Sequence, residues 1–313
     1  MIESGSMMSS QEKKSKEFVQ GYTDFDWLCA QATDKKTSDV IDLIEQDETA
    51  FYASGAVSKG SEPLELRFKQ GIFHVTRATG HSIAHIFVQI FKNREHMLAS
   101  GFSARDDQII VDIGANEGYY AMNIARHNPH AKIFSFEPNP IAYDLLRKNI
   151  ESNGLANVHT AQFAVWDSTG KAFLNILPEV TSIGAMTIED SSYLARAEKR
   201  VLKVPVDTIT LSDIIDRYEL PRIDLLKIDV EGGELRILRD SLASLEIVDR
   251  IVIEYHSQAI RHELEALLDT VGYALDLHVP DRDSFGDLYF TKRRVKQKTL
   301  SRFLRTLSRL KVA

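Results

Sequence analysis

The octapeptide V-D-I-G-A-N-E-G, Val111 to Gly118, follows the apolar residues Ile109 and Ile110 and precedes a segment of helical composition, Tyr119 to Arg126. Its glycines therefore lie where a strand turns into a helix. Glycine lacks the Cβ that would keep a ligand away from the backbone, and a helix N-terminus offers unpaired N–H groups. The turn after the first strand of an open α/β sheet is accordingly a frequent cofactor site. The spacing from Gly114 to Gly118 is G-x-x-x-G, without the middle glycine of the dinucleotide-binding G-x-G-x-x-G turn. Alone it is compatible with several cofactors, or with a tight turn that holds none.

The pattern on either side extends the α/β reading. Strand signals at Ile109–Ile113, Lys132–Glu137, Val158–Ala161 (reaching towards Val165), Ile223–Val230 and Val248–Tyr255 alternate with helix signals. The helices are expected at Tyr119–His127, Pro140–Ser152, Leu211–Tyr218, Gly233–Arg239 and His262–Thr270, with Asn153-Gly154 as a C-cap. Tyr273–Leu277 and Leu288–Thr291 read as a closing pair of strands. Such alternation predicts an α/β fold with a largely parallel sheet and helices on both faces.

Upstream, residues 1–104 read as a mainly helical extension. Met1 to Lys16 is polar, a helix capped by Ser38 or Asp39 runs through Glu45, Gly55–Pro63 is a loop, Ile72–Thr76 a strand, and His81–Leu98 an amphipathic helix. His74, His81, His85 and His96 fall here; His81 and His85 share a helix face, but with no third ligand near in sequence all four read as hydrogen-bonded or surface residues. Residues 105–291 form the expected catalytic domain and 292–313 a basic tail.

The chain of 313 residues is 43% hydrophobic and has a single cysteine, Cys29, which excludes an intramolecular disulfide or a cysteine-rich zinc site. It has no run of about 18 apolar residues and no basic-then-apolar leader, so the expectation is a soluble cytoplasmic protein. Its net charge of −7 is uneven: Thr291–Ala313 holds nine of the 38 Lys and Arg residues and no acid, leaving 29 basic against 45 acidic residues before it.

Three strand ends carry chemistry. The second, F-S-F-E-P-N-P, sets Glu137 nineteen positions after Gly118, where a carboxylate can accept hydrogen bonds from both hydroxyls of a ribose. The fourth, I-D-L-L-K-I-D-V-E-G-G-E, interrupts a buried apolar strand with Lys227, Asp229 and Glu231 at a period of two, so that all three would face one side. Charges there are costly unless paired or used. The fifth ends in Glu254, Tyr255 and His256, with Glu254 and His256 on one face, a carboxylate that could orient a basic imidazole.

These stretches, with A-V-W-D-S-T-G (Ala164–Gly170) and V-D-T-I-T-L-S-D-I-I (Val206–Ile215), occur in the order found in FkbM-type S-adenosylmethionine-dependent methyltransferases, which this chain resembles from about Arg105 to Thr291. The resemblance implies a Rossmann-like class I methyltransferase fold, a seven-stranded sheet with an antiparallel last strand, and S-adenosylmethionine as donor. It implies that Asp112, Gly114, Asn116 and Gly118 surround the methionine moiety, that Glu137 holds the ribose, and that the adenine lies near Ala164, Val165 and Asp167. The implied acceptor is a hydroxyl on a small molecule, sugar or glycolipid. His256, supported by Glu254, is the expected base, with Asp229 as its rival and Lys227 beside them. A divalent metal on Asp229, Glu231 and Glu254 is compatible with the spacing, which does not demand it.

Three other readings compete. An NAD-dependent oxidoreductase would also want Gly114 and Glu137, but the missing glycine counts against it. A nucleic-acid methyltransferase would use the basic tail, but D-V-E-G stands where a loop for exocyclic amines would be, and the acidic body repels phosphate. A non-catalytic S-adenosylmethionine-binding module is the third. In the tail Leu300, Phe303, Leu304, Leu307 and Leu310 recur at helical spacing with Arg302, Arg305 and Arg309 off that stripe, a pattern that suits peripheral contact with the inner face of a membrane, docking on a partner, or packing against the chain's own acidic body.

Overall fold

The computed structural model describes residues 24–54, 63–76, 80–177, 180–185, 201–280 and 285–293. The polar start of the chain and the amphipathic tail beyond Arg293 lie outside these residues. No helix among the described residues is long and apolar enough to cross a membrane.

The extension forms α1 (Phe25–Gln31), α2 (Lys35–Ser54), a hairpin of β1 (Pro63–Phe68) and β2 (Gly71–Thr76), and α3 (Gly80–Phe87). The helix expected to reach Leu98 changes into a π-helical segment, Val88–Asn93, and ends where Arg94 takes a left-handed conformation. Then follow β3 (Ile109–Ile113), α4 (Tyr119–His127), β4 (Lys132–Phe136), α5 (Pro140–Ser152), β5 (Val158–Ala161) and β6 (Ala164–Val165). Next come β7 (Gly170–Leu177), β8 (Val180–Ala185), β9 (Leu202–Ile209), α6 (Leu211–Arg217), β10 (Leu225–Ile228) and α7 (Glu234–Asp240). The described chain closes with β11 (Arg250–Tyr255), α8 (Gln258–Thr270), β12 (Tyr273–Pro280) and β13 (Gly286–Lys292).

The main sheet has seven strands in the order β12-β13-β11-β10-β3-β4-β5. β13 runs antiparallel to both neighbours while β10, β11, β3, β4 and β5 pair in parallel. Seven strands with the last one antiparallel is the sheet that the sequence resemblance implies. Every residue of β3 is buried, as expected of a central parallel strand covered on both faces. Local sequence sets the helix starts: Asn139 caps α5 with Pro140 at its first position, Thr210 caps α6 and Ser257 caps α8. Asn153 is the C-cap of α5 and Gly154 follows with a φ of 62°, as the Asn-Gly pair predicts.

Two expectations are corrected. The third strand stops at Ala161; Ala164 and Val165 leave the main sheet and pair with Thr208 and Ile209 in a second sheet, ordered β6-β9-β7-β8. Strand four is also shorter than expected, ending at Ile228, so the period-two alternation holds for Lys227 but not for the turn residues Asp229 and Glu231. Glu231 takes a left-handed φ of 58°.

The extension is fastened to the main domain by side chains as well as by apolar packing. Asn153 accepts a hydrogen bond from Ile72 N (3.0 Å) and donates one to Ile72 O (2.6 Å), while Asn149 accepts from His74 N (2.6 Å). These amides satisfy the free edge of β2. Beneath them Phe73 and Phe87 meet Tyr119 of α4 edge-on at 5.2 and 6.1 Å.

Candidate active site

The carboxyl ends of β3, β4, β10 and β11 open into a cavity of about 360 Å³, closed on one side by the extension and on another by β6. An open α/β sheet binds ligands at this edge.

The glycine turn forms one wall. Gly114 has φ +76°, and a Cβ there would stand 1.7 Å from the carbonyl oxygen of Asp229. The turns after β3 and β10 thus press together at a point only glycine fits. At Gly118, φ +88°, a Cβ would lie 2.4 Å from Leu146 Cδ1 of α5, so this glycine serves helix packing. The turn's amides are also used within the protein. Gly114 N and Ala115 N both donate to Phe136 O (3.0 Å each), and Asn116 N donates to Glu137 Oε2 (2.8 Å). What the turn presents to the cavity is Ala115, Asn116 and Glu117. The buried Asn116 Oδ1 has no hydrogen-bond partner among the described residues.

Glu137 lines the same wall and is 7% exposed. Its other oxygen accepts from Asn139 N at 2.7 Å. Burial pushes its carboxyl up to about 7, against the pull of the two backbone hydrogen bonds. Ala164 and Val165 line the cavity beside it, with Phe163 and Trp166. Asp167 does not; its carboxylate pairs with Arg236 at 3.2 Å. Asp112 is also outside the lining, fully buried below the turn.

Asp112 faces Lys227 because the two are register partners on adjacent parallel strands, β3 and β10. Lys227 Nζ lies 3.3 Å from Asp112 Oδ1, donates to Gly114 O at 2.8 Å and reaches Asp229 Oδ2 at 3.2 Å. It thus donates two hydrogen bonds, to Gly114 O and Asp229, and meets Asp112, whose Oδ1 has no hydrogen-bond partner among the described residues, as an ion pair. Burial works against this ammonium, but Asp229 and Asp112 outweigh it and hold the group above the usual lysine range. Asp229 is drawn below the usual carboxylate range: burial raises it, but Lys227, His96 and His256 prevail.

His256 also lines the cavity, but its partner is not Glu254. Nδ1 meets Glu234 Oε1 at 2.7 Å and Nε2 stands 3.7 Å from Glu231 Oε2. His256 follows the end of β11, so the strand alternation no longer fixes its direction, and the first residue of α7 supplies the carboxylate instead. Burial opposes charge on the imidazole, but Glu231 and Glu234 hold it well above the ordinary histidine range. Burial likewise pushes Glu231 up to about 7, and burial with the nearby Asp229 carboxylate raises Glu254 well above its usual range.

Two residues that sequence reasoning passed over stand here. Glu234 is fully buried, and its contact with His256 spans 22 positions, which no local pattern reveals. His96, read as a hydrogen-bonded or surface histidine, is 4% exposed and lines the cavity. Its backbone N–H donates to Asp287 Oδ2 (3.1 Å), its Nδ1 meets Oδ1 (3.0 Å), and its Nε2 faces Asp229 Oδ2 at 3.9 Å. Of the expected metal set, Asp229 and Glu254 come together with His96, whereas Glu231 turns to His256. His85 also lines the cavity, and His74 contacts Ser152 Oγ at 2.7 Å; the side chain of His81 lies outside the described residues.

Residues 112–276 match the model of the methyltransferase FkbM domain. The chain is 30% identical to methyltransferase sdnD of Sordaria araneosa, over 74% of this chain and 88% of that protein. It is 25% identical to the hexuronic acid methyltransferase AglP of Haloferax volcanii, over 58% of this chain and 69% of that one. It is 27% identical to the 31-O-demethyl-FK506 methyltransferase FkbM of Streptomyces tacrolimicus, over 63% of this chain and 86% of that one.

Proposed function

Because this chain belongs to the FkbM methyltransferase family and is an S-adenosylmethionine-dependent methyltransferase, we propose that it methylates a hydroxyl of a small molecule, sugar or glycolipid. The observation that carries this reading is that two kinds of residue line one cavity. Glu137, Asn116, Ala164 and Val165 line it and suit the donor, and His256, Asp229 and Glu254 line it as well; we assign the former to a donor end and the latter to the end where an acceptor meets the methyl group.

Glu137 is suited to the ribose. A carboxylate has about four lone-pair sites, and the backbone takes one on each oxygen, which leaves one on each for a ribose hydroxyl. Asn116 Oδ1, buried without a partner among the described residues, can receive the donor's ammonium. Gly114 and Gly118 shape the turn without using up the space beside it, and Asp112 acts from below by pairing β3 to β10 through Lys227, which itself lines the cavity. Asp167 we place outside the donor site.

Methyl transfer from a sulfonium is an in-line displacement, so alignment and removal of the acceptor's proton are what the protein contributes. His256 is the proposed base: Glu234 fixes its Nδ1 and leaves Nε2 towards the cavity. The sulfonium, a cation brought into the same cavity, counteracts the carboxylates that hold the imidazole protonated. Asp229, already paired with Lys227, is the weaker base.

Calorimetry with S-adenosylmethionine and NAD, followed by an acceptor screen that detects S-adenosylhomocysteine, tests the assignment. Binding of the first and not the second is expected. His256→Ala should lower turnover by about 10²-fold or more with donor affinity retained. Unchanged turnover would remove His256 from the mechanism. Absence of salt-sensitive RNA binding would exclude a nucleic-acid acceptor.

We take residues 105–291 as the catalytic domain, with the extension supplying His85 and His96 to the cavity. The basic tail we assign to contact with the cytoplasmic face of a membrane, which would bring the site to a glycolipid.

A further inference from the structure

His96, Asp229 and Glu254 come from the segment after the π-helical turn, the turn after β10 and the end of β11. Each offers one ligand atom, and the three atoms lie within 4.8 Å of one another. The histidine is held in a particular way. Asp287, itself 3% exposed, receives both its backbone N–H and its Nδ1, which fixes the ring plane and leaves Nε2 towards Asp229. At 3.9 Å that approach is too long for a hydrogen bond. A buried imidazole with a carboxylate on one nitrogen, its other nitrogen turned to further carboxylates, is how proteins orient metal-binding histidines. The backbone at His96 sits at φ +59°, an uncommon conformation for a residue that is not glycine, and it places the ring there.

The charges around this point are unbalanced. Lys227 takes Asp229 Oδ2, and His256 faces Glu231 and Glu234. Glu254 makes no hydrogen bond or ion pair among the described residues; the carboxylates Asp229, Glu95 and Asp287 surround it, and Lys227 and His256 are the cations that it feels. Asp229 retains a second oxygen beyond the one nearest Lys227. A cation placed between the three side chains would satisfy Glu254 and His96 Nε2 together.

We propose that His96, Asp229 and Glu254 bind one divalent cation, of the Mn²⁺ or Mg²⁺ class, at the acceptor end of the cavity. One imidazole and two carboxylates form an oxygen-rich set suited to these ions, and three protein ligands leave coordination positions for other oxygens. An acceptor with two neighbouring oxygens, such as a vicinal diol, fills those positions and is thereby fixed in register with the donor. The ion polarises the acceptor hydroxyl: its O–H bond breaks with the proton passing to His256, an oxygen lone pair forms the O–CH₃ bond, and the C–S electrons return to sulfur, leaving a neutral thioether. The inference rests on the methyl-transfer reading for what the ion does, and on the three side chains alone for whether it binds. It also gives the extension a part in the site, because His96 lies before residue 105.

The test uses the full chain after treatment with EDTA, titrated with Mn²⁺ while free Mn²⁺ is read by electron paramagnetic resonance. One saturable Mn²⁺ per chain is expected, with affinity weakened about 10-fold or more in Glu254→Gln and in His96→Gln, and about 10-fold in Asp287→Asn. Calorimetric binding of S-adenosylmethionine by Glu254→Gln within about twofold of wild type would show that the donor end is folded. No saturable uptake by the wild-type chain, or equal affinity in Glu254→Gln, would overturn the proposal. Saturable Mn²⁺ uptake without S-adenosylmethionine binding would count against the methyl-transfer reading and leave the cation site standing.

Discussion

Glu137 and Lys227 show how single side chains in this site are committed by their surroundings. Glu137 is a carboxyl whose burial holds it up at about 7, although two backbone N–H groups favour its charge. Its proton is bound more tightly in the folded chain than in the unfolded one, so its contribution to stability is present below the ordinary value of 4.5 and is lost as pH rises through about 7. Ribose hydroxyls need the ionised form as acceptor. Affinity for S-adenosylmethionine should therefore climb as pH rises through about 7 and level off above it, and Glu137→Gln should bind more weakly with a flatter profile. Calorimetry between pH 5.5 and 8.5 checks this, and a wild-type profile as flat as the variant's would remove Glu137 from ribose binding. Lys227 is the opposite case, an ammonium 3% exposed and tied to Asp112 and Asp229. Lys227→Met would leave both carboxylates without their cation, at an expected cost of about 3 to 5 kcal/mol in urea unfolding. A loss below about 1 kcal/mol would mean that solvent compensates the pair.

At the level of elements, the edge strand β2 is held by two asparagines of α5, which sequence alone could not announce because the contact joins Ile72 to Asn153 across 81 positions. Asn153→Ala removes an acceptor and a donor from that edge and leaves Ile72 N and O unsatisfied. A loss of about 1 to 3 kcal/mol, with faster amide exchange at Ile72 but not in β3, is expected. Uniform exchange changes in both strands would instead mean that the hairpin and the main sheet open together. The same contrast between local and distant information explains what could be read beforehand. β3, β4, β10 and β11 were legible because buried parallel strands are continuous apolar runs, and the helices between them because caps such as Asn139-Pro140 and Ser257 are local. The sheet formed by β6, β7, β8 and β9 was not: Phe173 and Leu202 are apolar yet 59% and 52% exposed, and Pro205 interrupts β9, so the alternation that marks a strand is blurred. Glu137, Asp229 and His256 could be placed from strand ends, and Ala164 and Val165 from the family resemblance alone, since they belong to the second sheet. Glu234 and His96 could not, since their roles depend on partners 22 and 191 positions away.

On the scale of the whole molecule, charge is divided between an acidic body and a basic end. Nine Lys and Arg residues fall within Thr291–Ala313, leaving 29 basic against 45 acidic residues in the rest. Residues beyond Arg293 lie outside the described structure, so the case for the tail rests on sequence. Leu300, Phe303, Leu304, Leu307 and Leu310 at helical spacing provide an apolar stripe, and each flanking basic residue near an anionic bilayer contributes about 1 kcal/mol. The acidic body opposes the approach, so binding should depend on the tail and should be strongest at low salt. Vesicles of phosphatidylserine and phosphatidylcholine should retain the full chain at low ionic strength and release it towards about 1 M salt, where screening shortens to about 3 Å. A chain ending at Arg293 should bind S-adenosylmethionine as the full chain does, because among the described residues those that line the cavity all precede it. That shortened chain should not be retained by the vesicles. Retention that is the same with and without the tail, or absent in both, would sever the link between the basic end and a membrane-borne acceptor.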